Sequence, residues 1–128
     1  MTMVSEQLRS AAEAQARKTL EEVAGVVAVV IATADGFDIA SAVTRDIDPV
    51  RVAALASSIS AIGSVVSQEA RLGRSRSVTI NTDAGFALLS AVNRKDVELV
   101  INIIANEHAI LGQVAWRSGE CVKALEAA

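Results

Sequence analysis

The stretch VVAVVIATADGFDIASAV, Val26 to Val43, decides the fold. Its first nine residues, Val26 to Ala34, form one β-branched and apolar run, the composition of a strand buried on both faces. Asp35–Gly36 supplies a hairpin turn, because glycine reaches the backbone angles that reversing strands require. From Phe37 the sequence FDIASAV alternates apolar with small or polar residues, as a return strand does. A strand buried on both faces needs cover above and below, so helices are expected against both faces of the sheet.

Working outward, residues from about Ser5 to Val23 are rich in Ala, Glu, Gln, Arg and Leu. Leu8, Ala12, Ala16, Leu20 and Val23 recur at helical spacing, and Gly25 ends the pattern. Downstream, Asp48–Pro49 opens a second helix with Asp as N-cap and Pro in the first position. It runs to about Leu72, with Gly73 as its stop. SRSVTINT, the turn DAG (Asp83 to Gly85), FALLSAV, the polar turn NRKD and VELVINIIA then read as a three-stranded meander. Asn106 is the expected cap of a last helix from about Glu107 to Leu125. Its apolar positions are Leu111, Val114, Ala115, Cys121, Val122 and Leu125. Short turns within both strand groups require antiparallel neighbours. The expected fold is α/β in the α+β sense, a single domain over residues 1–128. It has a five-stranded, mainly antiparallel sheet and three helices in the order α-β-β-α-β-β-β-α.

The second helix is unusual. From Val52 to Ser67 it carries no charge. Val52, Leu55, Ile59, Ile62 and Val66 form one stripe, expected to lie on the sheet. Ala53, Ala56, Ser60, Gly63 and Ser67 form a second stripe of small residues, which lets another backbone approach closely. A terminal helix of the same chain packs there, or the alanines are there simply as good helix formers, or a second copy packs there. A sheet covers only one side of a helix, so the length of the uncharged run favours a two-fold dimer. On that reading Gly63→Glu breaks the dimer.

Composition narrows the function. With 52% apolar residues the chain is globular, and with 2% aromatic residues its core is aliphatic. A net charge of −3 and the absence of Tyr argue against nucleic acid as a partner. The runs VVAVVIA and LVINIIA are too short to span a bilayer, so membrane insertion is not expected. The charged N-terminal region lacks a signal-peptide layout, and the single Cys121 suits a reducing compartment; both point to the cytoplasm. No metal or cofactor is expected. His108 has no partner His or Cys, Cys121 falls on an apolar stripe, and there is neither a phosphate-binding Walker loop nor a nucleophile elbow. RLGRSR brings Arg71, Arg74 and Arg76 to the end of the second helix, where cations complement the helix dipole and can meet an acidic partner. No catalytic constellation is present, so an enzyme is not expected.

GVVAVVIATADGFDIASA resembles the first hairpin of the Roadblock family, named for dynein light chains and abundant in bacteria. The small-residue middle helix, TDAGFALLSAV and ILGQVAW also resemble that family, in its order, from about Ser5 to Leu125. The resemblance implies a homodimer in which middle helices pack together and sheets join edge to edge. It also implies a regulator or scaffold for a small Ras-like GTPase, without catalytic residues of its own. The expected contact surface is Ala53, Ala56, Ser60, Gly63 and Ser67, with Arg71 and Arg74 at its rim. The alternatives are a scaffold with no effect on nucleotide turnover, or a small-molecule sensor.

Overall fold

The computed structural model describes residues 4–128. Its elements are α1 (Glu6–Glu22), β1 (Val26–Thr33), β2 (Asp38–Val43), α2 (Pro49–Glu69), β3 (Ser77–Thr82), β4 (Gly85–Val92), β5 (Leu99–Asn106) and α3 (Leu111–Ala127). This is the expected α-β-β-α-β-β-β-α order. The five strands form one sheet in the order β2-β1-β5-β4-β3, and every neighbouring pair is antiparallel. All eight residues of β1 are buried, as its unbroken apolar run required.

Strand alternation sorts the side chains onto two faces. Val29, Ile31, Leu88, Leu99, Ile101 and Ile103 join Leu8, Ala12, Ala16, Val114, Cys121 and Leu125 in one continuous core beneath α1 and α3. On the opposite face Val30, Ala32, Leu89 and Val100 meet Ala53 and Ala56 of α2 in two small clusters.

Local chemistry sets the boundaries. Asp48 Oδ1 accepts from the Val50 N–H at 3.0 Å, so α2 is capped where its sequence indicated, and Ser5 Oγ caps α1 by accepting from the Leu8 N–H at 3.1 Å. The first hairpin is looser than a two-residue turn. Thr33 N–H donates to Phe37 O at 2.8 Å, leaving Ala34 to Phe37 as the loop, with Gly36 at φ 102°.

Two helix ends differ from expectation. α2 stops at Glu69, three residues before Leu72. There the Leu72 N–H donates to Ser67 O and the Arg71 N–H to Gln68 O, a closing pattern that puts Arg71, not Gly73, first into the left-handed region at φ 56°. α3 begins at Leu111 rather than Glu107. Asn106 caps a turn, not a helix: its Oδ1 accepts from His108 N–H at 2.9 Å and its carbonyl from Ala109 N–H at 3.2 Å. His108 is consequently an exposed turn residue. Cys121 is buried, with Sγ 3.2 Å from Thr19 Oγ1.

Candidate interaction surface

The sheet face that receives α2 is already bulky, with Leu89 and Val100 at its centre. A helix can lie close to such a floor only through small side chains. Ala53 and Ala56 fill that role at 0% and 1% exposure, with Val52, Ile59, Ser60, Gly63 and Ser67 half-buried beside them. A Cβ at Gly63 would stand 2.8 Å from Val78 Cγ2, so glycine there sets the closeness of α2 to β3. Ser57 Oγ donates to Ala34 O at 2.6 Å and ties the helix to the first hairpin loop.

The two stripes of α2 are therefore largely exchanged relative to expectation. The small stripe seats the helix on its own sheet, and the large stripe looks outward: Leu55 is 63% exposed, Ile62 64%, and Val65 and Val66 58% each. The sequence pattern could not assign the faces, because either stripe satisfies helical periodicity. Bulk already present on the sheet decides it. Ala53 and Ala56 are sealed within the protomer, so they cannot touch a second copy. Gly63→Glu would drive α2 off β3, and so it does not isolate a contact between copies.

Beside this row lies an open edge. Among the described residues β3 pairs only with β4, and five of its six residues are exposed. α2 and β3 meet at Gly63 and Val78, so the apolar row and the unpaired strand edge adjoin. Arg71, Arg74 and Arg76 are exposed at the same end, and a cleft of about 500 Å³ there is lined by Ser64, Ser67, Gln68, Arg71 and Arg74 among others. Of the expected contact residues, Ser67, Arg71 and Arg74 thus come together, while Ala53 and Ala56 face away from them. By length and composition α2, with 21 residues, would also pass for a membrane-crossing helix. Its alanine contacts and the Ser57 hydrogen bond give it a seat on the sheet.

Among the described residues no group of His, Cys, Asp and Glu has the arrangement of a metal site. Among the described residues one buried side-chain polar atom is orphaned: Asn102 Oδ1, on the α2 side of β5 between Val30 and Leu89, has no hydrogen-bond partner. Sequence reading also passed over Arg94. Its guanidinium grips Asp96 through Nε at 2.9 Å and Nη2 at 3.0 Å, while Nη1 donates to the carbonyls of Leu125 and Ala128. The hydrogen bond from Arg94 holds the Asp96 carboxyl below the usual carboxylate range. The NRKD turn therefore caps the end of α3, a role that spacing in the chain cannot reveal.

Comparison with known proteins gives a consistent picture. The sequence matches the model of the Roadblock/LC7 domain over residues 13–102. The fold is similar to MglB of Myxococcus xanthus, with a TM-score of 0.85 at 17% identity, covering 99% of this chain and 92% of that one. It is similar to the gliding protein MglB of Thermus thermophilus, with a TM-score of 0.83 at 15% identity over 99% and 93% of the two chains. A Roadblock/LC7 domain from Streptomyces avermitilis gives 0.81 at 16% identity over 90% and 94%. No curated protein sequence matches the chain.

Proposed function

This chain belongs to the Roadblock/LC7 domain family, and from that premise we propose that it is a homodimeric regulatory or scaffold protein of the cytoplasm. It binds a small Ras-like GTPase and modulates its GTP hydrolysis or its recruitment. The observation that carries the dimer is the uncharged outward row Leu55, Ile62, Val65 and Val66 beside the free edge of β3. Exposed side chains of this size in one row are the usual mark of a surface that another protein covers. A two-fold axis between antiparallel α2 helices would bury that row against its own copy and bring the β3 edges together.

The GTPase comes from the family resemblance, and the arginine rim supports it. Arg71, Arg74 and Arg76 flank the dimer surface with three cations suited to an acidic partner. Nothing in the constellation can activate a nucleophile, so any effect on turnover would act by ordering the GTPase's own groups. Two measurements test the reading in sequence. Sedimentation should give a dimer, and Ile62→Glu should give a folded monomer. Immobilised protein should then retain a Ras-like GTPase from its own lysate more strongly with a non-hydrolysable GTP analogue than with GDP. Equal retention in both states would favour the scaffold, and a monomer at all concentrations would remove the premise.

A further inference from the structure

The α1 and α3 side of the sheet carries a feature that the dimer and the GTPase do not use. Arg117, on α3, is only 6% exposed, yet no carboxylate of the described residues lies within ion-pairing distance. Its Nε donates to Thr19 Oγ1 at 3.2 Å and its Nη2 to Gln15 Oε1, both neutral acceptors on α1. Nη1 has no protein partner among the described residues, and it is not among the atoms sealed from solvent. A guanidinium so deeply placed ordinarily has an anion beside it, because burying a charge unpaired is costly.

Arg117 forms part of the wall of a cleft of about 440 Å³, together with Glu22, Val23, Gly112, Gln113 and Trp116. The cleft opens over the first turn of α3, a 17-residue helix whose N-cap, Ile110, offers no side-chain acceptor. The Gln113 N–H is taken by Ile110 O at 3.0 Å, which leaves the Gly112 N–H on the cleft wall to meet an anion that the helix dipole favours. Gly112 leaves the approach open, since a Cβ there would meet nothing within 4 Å. Trp116 is 66% exposed and, with Val23, supplies an apolar wall. Glu22 on the rim disfavours a second negative charge.

We propose that this cleft binds a carboxylate carried on an apolar body. The acid group is held by Nη1 of Arg117 and the Gly112 N–H, and the apolar part lies on Trp116. Trp116 is the only tryptophan in the chain, so its fluorescence reports the site directly. The wild-type protein would be titrated with N-acetyl-leucine, N-acetyl-leucinamide, N-acetyl-isoglutamine and inorganic phosphate. N-acetyl-leucine is expected to give a saturable shift, whereas the amide and phosphate give none. Binding of N-acetyl-isoglutamine as well would extend the site to side-chain carboxylates; its failure to bind would assign the site to chain-terminal ones. Arg117→Gln should weaken N-acetyl-leucine by about tenfold or more, the loss of a charge-assisted hydrogen bond. Because that variant removes a buried group, Gly112→Leu serves as the second: it adds a good helix former, enters open space and blocks the cleft. The proposal is overturned if N-acetyl-leucine gives no saturable shift, if its amide or phosphate binds equally, or if folded Gly112→Leu binds as the wild type does.

Discussion

On one face of the sheet Ile31, Ile101 and Ile103 meet Leu8, Val114 and Leu125, large against large, and every one of these is sealed. On the other face Val30, Leu89 and Val100 meet alanines, while Leu55, Ile62, Val65 and Val66 of the same helix stand in solvent. The first face is a complete core. The second is half of one, since the helix is thin where it meets its own sheet and bulky where it meets nothing. The lesson concerns amphipathic reading. A helix with two apolar faces should be oriented by the volume already present on its floor, not by assigning its largest residues inward.

The largest expected effect comes from the complete face. Ile101→Ala should cost about 2–5 kcal/mol in denaturant unfolding, from lost burial plus the cavity left in a tightly filled layer. Ile62→Glu, on the other face, should change the stability of the isolated protomer by less than about 0.5 kcal/mol. It should nevertheless abolish the dimer in sedimentation; a large loss of protomer stability would instead place Ile62 inside the fold. Asn102→Leu removes the orphaned acceptor beneath α2 and should raise the unfolding free energy by about 1 kcal/mol. Destabilisation would mean that Asn102 has a partner in the assembled protein. Arg71→Gly relieves a left-handed arginine and should also gain about 1 kcal/mol. If the same variant weakens a partner, strain at that end of α2 is being kept for its side chain. The smallest effect is at Arg94 and Asp96. The lowered carboxyl keeps this clamp at neutral pH and releases it as pH falls through that lowered value. Protection of the last-turn amides of α3, taken relative to their intrinsic exchange rate at each pH, should then fall at acid pH, and already at neutral pH in Arg94→Ala.

How much of this could be read from the chain follows from range. Strands, turns and the Asp48 N-cap depend on neighbours within a few residues, and Val26–Val43 carried the sheet almost unaided. The ends of α2 and the start of α3 were displaced because Arg71 and Asn106 use conformations that depend on the following residues' hydrogen bonds. The face of α2 was not legible, because it depends on Leu89, Val100 and Val78, all outside the helix. Arg71 and Arg74 were found as a charge run. Arg117 was passed over, since among the polar residues of α3 nothing in its spacing separates a buried arginine from a solvated one. Only its contacts with Gln15 and Thr19, about a hundred residues away, mark it.

The pairing of β1 with β5 has a consequence for how the chain acquires its shape. Val26 lies opposite Ala105 and Thr33 opposite Leu99, so the sheet's central pair joins segments that most of the sequence separates. Closing so long a loop carries an entropy cost that local contacts do not offset. During synthesis the β1–β2 hairpin emerges early with eight residues meant for burial, and its partner arrives only once Asn106 has left the ribosome. In that interval the exposed valines are open to the same strand of neighbouring nascent chains. Folding yield should therefore depend more on the speed of elongation through β3 and β4 than on the stability of the finished domain.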